Sequence, residues 1–412
     1  RQRDAGLAHG IQVAGMNLAK LAPSFWINRG VSASVKDPLW KYHWVREHEP
    51  ETFARVRYWL DAKDYLVSRC ADRFVTTPDC AQVTFLYDTR PGRARWSMTL
   101  ARLFDVNPEH LPQVISCTDS AGPLTQSAAR DLSMRPGIPV VAGGGDITTI
   151  ALGTGCVAPG DAHVYVGTSG WVGVVTDQRR VSLRTRMGAI TGAKPGCLNY
   201  IGLQETSGKC LDWAADQLAR DRIGLYPGAT EGSGSDDRPV LEHLNRVIAD
   251  VEPGSGGVLF TPWLHGNRSP FEDRHARAMF FNLGLETGKA QMLRAVVEGL
   301  AFQKRWMLDE VGRRLPVSPE LRFAGGGALS EPMARILADI TGRTVLAVER
   351  PQQVGAAGAA LLAAITLGQI TDFDQVPARV NIRKRYPPDA DRAAAYERSY
   401  RVFRQLHSSN RA

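Results

Sequence analysis

Cysteine is scarce in this chain: Cys70, Cys80, Cys117, Cys156, Cys197 and Cys210 are the six among 412 residues. They form no CxxC pair and join no histidine at zinc-site spacing, which predicts buried, reduced thiols and excludes a disulfide scaffold or a structural zinc site. The nine histidines make no HExxH, and His43 and His48 miss the i, i+4 spacing that sets two ligands on one helical face. Long apolar runs are missing too. The longest small-apolar stretch, Val354 to Gly368 (VGAAGAALLAAITLG), is too short and too rich in glycine to span a bilayer as a helix. No signal-peptide pattern precedes it, so a membrane partner is set aside and a cytoplasmic location is the expectation.

A basic stripe is likewise absent. The net charge of +8 favours an anionic partner, yet the basic residues come in short clusters such as Arg90, Arg93 and Arg95 or Arg383-Lys384-Arg385, without interleaved aromatics. That pattern sets nucleic acid aside and leaves a phosphate-bearing small ligand, which needs only one local positive site.

What is present is ordinary globular composition, 43% hydrophobic and 22% charged, in a chain long enough for two domains and hence for a cleft. Pro50 to Asp72 reads as helical, with Asp61 and Asp64 placed as N-cap and third residue for DAKDYLVSRC. Phe74 to Leu111 alternates short strand-like and helical pieces around the turn RPGRARW. The stretch Tyr226 to Pro239 (YPGATEGSGSDDRP) reads as an exposed loop within the second domain. A long core helix opens near Thr287, with Met292, Val296, Leu300 and Met307 on one stripe.

The chemistry concentrates in three glycine units. GIPVVAGGGDITTIALGTG is an apolar strand running into glycines, then Asp146, then an apolar helix. HVYVGTSGWVGVVT alternates like a half-buried hairpin around Gly167-Thr168-Ser169-Gly170, and LRFAGGGALSEPMARILADITG is again strand, glycines and helix. Glycine turns at strand ends let backbone N–H groups approach a polyphosphate that side chains would block. Gly167, Thr168 and Ser169 are therefore candidates for the β- and γ-phosphates. Gly325, Gly326 and Gly327, leading to a helix near Ser330, are candidates for the α-phosphate and adenine. Asp146, at the carboxyl end of a strand, is placed to accept a proton from a hydroxyl, although capping the helix ITTIAL is the commoner role for an isolated aspartate. Two look-alikes fail: Gly202 to Lys209 (GLQETSGK) has one residue too many for a Walker A loop and ends in Cys210, and Gly153 to Ala158 trails a helix where a dinucleotide fingerprint needs a strand. Repeated strand-to-glycine-to-helix units predict an α/β architecture with a mostly parallel or mixed sheet in each lobe.

In order along the chain, GGGDITTIALGTG, YVGTSG, FTPWLHGNRSP, FFNLGLETGKAQMLRAVVEG and FAGGGALSEPMARILADITG resemble the FGGY carbohydrate kinases, closest to xylulokinase-like members. KDPLWKYHWVREHEPE and YWLDAKDYLVSRCADRFVT resemble that family's first domain. The resemblance implies two actin-like, ribonuclease-H-like domains, the remainder of a sugar-binding domain over 1–158 and a nucleotide-binding domain with a C-terminal helix over 159–412. It implies ATP as co-substrate with Mg²⁺ bridging its phosphates, a small ketose or polyol such as D-xylulose as acceptor, and Asp146 as the catalytic base. Gly167, Thr168 and Ser169 match the family's second phosphate loop; Gly325, Gly326, Gly327 and Ser330 match its adenosine loop. Arg268 stands in a loop like Gly-Glu-Arg-Thr-Pro, as a substrate or phosphate contact, with Asn267 where glutamate is usual. Glu331 stands where relatives carry a small or amide side chain. The opening RQRDAGLAHGIQVAG reads as mid-domain sequence, so the first domain is expected to be incomplete, without the family's first phosphate loop. An inactive nucleotide-binding pseudoenzyme and an actin- or chaperone-like ATPase are the alternatives, and a homodimer stays open.

Overall fold

The structure is a computed structural model and describes residues 12–13, 16–30, 37–219 and 238–409. The first eleven residues and residues 226–237 of the expected loop lie outside the described residues; Arg238 and Pro239 open a helix instead.

The first part of the chain is helical with short strand pairings. Helices α1 (Leu18–Ile27) and α2 (Pro38–His48) bury Leu21, Ile27, Leu39, Trp40 and Tyr42 in one cluster with Leu86, Leu100 and Phe104. The helix expected over Pro50 to Asp72 is broken. A single turn at Pro50–Phe53 gives way to extended chain before α3 (Ala62–Ala71). Tertiary contacts override the helical pattern there, because the Trp59 amide donates to the His110 carbonyl at 2.7 Å and Tyr58 stacks on Phe74. Asp61 caps α3 as its position predicts, accepting from the Asp64 amide at 3.1 Å. Strand β1 (Val75–Thr76) leads into α4 (Pro78–Val83), and β1 pairs in parallel with β2 (Gln113–Val114). Strands β3 (Ser120–Pro123) and β4 (Pro139–Val141) pair antiparallel, and β4 feeds the glycine loop before α5 (Asp146–Gly153). Among the described residues this part, whose domain was expected to be incomplete, holds only two-stranded pairings.

The second part is built on one eight-stranded mixed sheet. Strands β5 (Ala162–Val166) and β6 (Gly170–Thr176) form the hairpin closed by Gly167–Gly170, followed by β7 (Val181–Ser182), β8 (Met187–Thr191) and β9 (Leu198–Gln204). Then come β10 (Glu320–Ala324), β11 (Thr344–Val348) and β12 (Ile382–Tyr386), giving the order β7-β8-β9-β6-β5-β10-β11-β12. The two parallel contacts, β5 with β10 and β10 with β11, sit at its middle. The hairpin expected to be half-buried is buried on both faces, since every residue of β6 is covered. Alternation decides which side chain meets which layer. Val164, Val172 and Val174 join the core with α8 (Lys289–Gly312) and α9 (Glu331–Thr341), whereas Tyr165 and Trp171 face Ile150 of α5 and Val354 of α10 (Val354–Thr366). Helices α6 (Gly208–Ala214), α7 (Arg238–Asp250) and α11 (Ala390–Ser409) complete the cover.

Helices α5 and α10 meet at backbone distance. A methyl group on Gly153 would overlap the Val354 carbonyl, and one on Gly358 would overlap the Thr149 carbonyl. This explains the glycine-rich VGAAGAALLAAITLG: it is a close-packing helix face, and no helix among the described residues is long and apolar enough to cross a membrane. Gln82 of α4 adds a polar latch to the sheet, donating to the Ala189 carbonyl at 2.9 Å and accepting from the Thr191 amide at 2.7 Å. Replacing Gly358 with alanine is expected to destabilise the fold by about 1–3 kcal/mol through overpacking. Gly355→Ala, whose new methyl would meet Ile150 at an ordinary 3.7 Å, should cost nothing measurable. Urea unfolding of the two variants beside the parent checks the contrast.

Candidate active site

Asp146 is exposed at the first position of α5, and Gly145, not Asp146, is the N-cap. The capping role weighed for Asp146 therefore falls to its neighbour. One carboxylate oxygen accepts from the Ile147 amide at 2.8 Å, which orients the group and leaves the second oxygen for a ligand. The glycine loop before it is anchored from below by Asp79, whose Oδ2 accepts from the Gly145 amide at 2.8 Å and whose Oδ1 accepts from Thr77 Oγ1 at 2.5 Å. Lys63 braces the same loop, donating to the Ala142 carbonyl and to Thr77 Oγ1, each at 3.1 Å.

The two downstream glycine turns adjoin each other. Strands β5 and β10 run parallel with Ala324 beside Tyr165, so that Gly325 stands beside Val166 and Gly167 follows one residue later. Gly325 has φ +85° and no room for a side chain against the Val166 carbonyl, and a methyl on Gly327 would lie 2.6 Å from Val166 Cγ1. At the first turn Thr168 and Ser169 are exposed, while the segment after β9 braces it from behind: the Gly208 amide donates to the Gly167 carbonyl at 2.6 Å and the Ser207 amide to the Thr168 carbonyl at 3.1 Å.

Asp146 is tied to that turn through packing. Ile147 and Ile150 of α5 belong to one cluster with Tyr165 and Trp171, the residues flanking the turn, whose rings stack at 4.3 Å. The Tyr165 hydroxyl is held above its ordinary pKa, first by burial and then by the nearby Asp146 charge.

The remaining candidates have structural employment. Ser330 is the N-cap of α9: its Oγ accepts from the Met333 amide at 3.2 Å and bonds Asn245 at 2.6 Å, leaving the helix-start amides as the useful donors. Glu331 pairs with Arg335 and Lys384 at the surface, which holds its carboxyl below the usual range. Asn267 is buried and stitches its own loop, donating to the Ser269 and Phe271 carbonyls and accepting from Gln303. Arg268 is not brought to Asp146. It pairs with Glu205 at 3.7 Å and lines a cavity of about 440 Å³ between the two parts of the chain, walled also by Phe25, Asn28, Arg186 and Glu272. The link from Arg268 to the phosphate turn is indirect, because Glu205 directly precedes the segment that braces the turn.

Among the described residues one group of potential metal ligands comes together, Asp61, Asp64 and Cys80. It carries its own cation, since Lys63 pairs with Asp64 at 2.5 Å, Asp61 caps α3, and burial with the Asp79 charge pushes the Cys80 thiol far up. Asp79, Lys63 and the Tyr165–Trp171 stack escaped the sequence reading. An acidic residue after proline at a helix start looks like any first-turn acid, and the long-range bond to Gly145 has no local signature.

Residues 16–153 match the N-terminal domain and residues 162–367 the C-terminal domain of the FGGY family of carbohydrate kinases. The chain belongs to this family. It is 28% identical over 369 residues to the xylulose kinase of Escherichia coli (strain K12), covering 89% of this chain and 72% of that protein. It is 26% identical over 379 residues to the gluconokinase of Bacillus subtilis (strain 168), covering 90% of this chain and 70% of that one. In three dimensions it matches the ligand-bound xylulose kinase of Lactobacillus acidophilus with a TM-score of 0.82 at 21% identity, over 94% of this chain and 75% of the other. The fold is the two-domain actin-like, ribonuclease-H-like architecture, and the chain is a carbohydrate kinase that uses ATP to phosphorylate an alcohol group.

Asp79→Ala leaves the Gly145 amide without its acceptor, which is expected to cost about 1–3 kcal/mol of stability and to lower turnover by loosening the loop that carries Asp146. Asp79→Asn, which keeps an acceptor oxygen, should lose less on both counts in paired denaturation and kinetic measurements.

Proposed function

We propose that this kinase phosphorylates a pentulose, D-xylulose, at its terminal hydroxyl to give the 5-phosphate, with Asp146 as the general base. The observation that carries the assignment of the base is the exposed Asp146 carboxylate, aligned by its own helix and packed through Ile147 and Ile150 against the residues flanking the Gly167–Gly170 turn. The free carboxylate oxygen accepts the hydroxyl proton as the sugar oxygen attacks the γ-phosphorus in line, ADP leaves from the opposite side, and Asp146 then returns the proton to water. The amides of Thr168 and Ser169 hold the β- and γ-phosphates, on a turn opened by Gly167, whose own amide donates to the Ser169 carbonyl at 3.0 Å. Gly325, Gly326 and Gly327, with the amides at the start of α9 behind Ser330, take the adenosine and α-phosphate. In this reading the sugar side of the site belongs to residues 1–158 and the nucleotide side to residues 159–412.

Mg²⁺ would supply charge neutralisation of the phosphates. Such an ion is usually held by phosphate oxygens, water and one or two carboxylates, and the free oxygen of Asp146, kept for the sugar hydroxyl, would face it through water. The pentulose is favoured because the xylulose kinase of Escherichia coli is similar over 89% of this chain; the gluconokinase likeness makes gluconate the competing acceptor.

The test is coupled ADP release with D-xylulose, L-xylulose, gluconate and glycerol in parallel. D-Xylulose should give the highest kcat/KM, and a higher value for gluconate would reassign the substrate. In the same assay Asp146→Asn is expected to lower sugar-dependent turnover by about 10²- to 10⁴-fold while nucleotide binding persists. Near-normal turnover in that variant would remove Asp146 from the mechanism.

A further inference from the structure

Lys304 lies in the interior of α8 among Leu300, Ala301, Met307 and Leu308, and it is 1% exposed. Its ammonium nitrogen has no hydrogen-bond partner among the described residues, and neither has the hydroxyl of Ser207, which is fully buried. Both atoms converge on one point of the backbone. A Cβ built on Gly170 would lie 2.6 Å from Ser207 Oγ and 2.7 Å from Lys304 Nζ. Gly170 is the last residue of the turn whose Thr168 and Ser169 face solvent. An amine and a hydroxyl, both uncommitted, therefore sit directly on the buried side of the candidate phosphate turn, and the missing side chain at Gly170 makes room for them.

Nothing anionic faces this amine. Cys210 of α6 is the nearby titratable group, and its thiol is pushed up to about 12 by burial, so it stays neutral near neutral pH. Lys209 and Asp212 on the same helix are exposed, and β5 offers only the Tyr165 carbonyl, since its His163 bonds Trp171 on the opposite face of the sheet. On α8 itself the adjacent Arg305 is engaged with Glu397 at 2.6 Å. Left without a counter-charge, the Lys304 ammonium is pushed down to about 7 by burial.

We propose that Lys304 is the buried counter-charge of the phosphate turn: its amine, largely neutral in the free protein in mildly alkaline solution, takes up one proton from water when a nucleotide polyphosphate settles on the turn's exposed side, and returns it on release. The proposal rests on the assignment of Gly167–Gly170 as the phosphate site. A polyanion held by the turn's amides is the partner the amine lacks, and charges interact strongly across a dry, low-dielectric turn. The sign follows. Nucleotide raises the affinity of Lys304 for its proton, so binding strengthens toward low pH and weakens as pH rises above about 7, by up to about tenfold per unit for one proton.

The test is calorimetry of ADP binding near pH ~8, above the second phosphate ionisation near ~6, in two buffers of different ionisation enthalpy. The parent protein should take up about one proton per ADP bound, and Lys304→Met should take up none, with an affinity that no longer depends on pH. Equal uptake in both overturns the proposal. Should Lys304→Met fail to fold, the parent decides alone, since an affinity constant across the alkaline range is equally fatal. The double variant Thr168→Glu, Ser169→Glu, which sets carboxylates on the exposed turn where its amides would hold phosphate, separates the two levels. Unchanged ADP affinity there removes the phosphate site and the proposal with it, whereas weakened affinity there, together with equal uptake in Lys304→Met, removes only the role of Lys304.

Discussion

Helices α5 and α10 touch through their backbones at Gly153 and Gly358, where each glycine faces a carbonyl of the other helix. One helix carries Asp146 at its start and the other follows β11 of the large sheet, so this contact sets how the proposed base stands against the large sheet and its glycine turns. Side chains of ordinary size would push the helices apart by more than the tolerance of a phosphoryl transfer, for which an error of about 1 Å costs heavily. Two glycines in register are therefore a positional device as much as a packing one, and Ile147, Ile150 and Val354 extend it to the Tyr165–Trp171 stack beside the phosphate turn.

The two downstream glycine turns follow a second constraint, the parallel pairing of β5 with β10. Because these neighbours end within one residue of each other, their glycine turns open side by side, as one ligand spanning both would need. The turns are rigid for different reasons. Gly325 is wedged under Val166 at a φ that favours glycine, while the Gly167 turn is braced by amides of Ser207 and Gly208 and backed by Lys304. The stretch GLQETSGK, which fails as a Walker loop, thus braces the proposed phosphate turn without being one.

Much of this was legible in the sequence, because strand, glycine and helix leave local marks. The helix after Gly145, the hairpin at Gly167–Gly170, the long helix α8 and the Asp61 cap all follow from spacing and turn chemistry. What escaped was non-local. The break before α3 depends on Trp59 reaching His110 and on Tyr58 stacking on Phe74. The burial of both faces of β6 depends on helices far along the chain. Asn267, flagged as a departure from the family loop, is a buried stitch, and Asp79 supports the Asp146 loop across 66 residues of sequence. Lys304 reads locally as one more cation in AFQKRWML, and only the glycine opposite it gives its amine a meaning.

The proposal's central claim is spatial: a sugar hydroxyl must lie within hydrogen-bond reach of Asp146 and in line with the γ-phosphate of a nucleotide on the Gly167–Gly170 turn. A crystal structure of the protein with ADP and D-xylulose bound together measures that arrangement directly. The account predicts phosphate oxygens on the amides of Thr168 and Ser169, adenosine against Gly325 to Gly327, and a sugar hydroxyl within about 3 Å of the free Asp146 oxygen. A nucleotide seated away from both glycine turns, or a sugar held in the Arg268 cavity out of reach of Asp146, would contradict it.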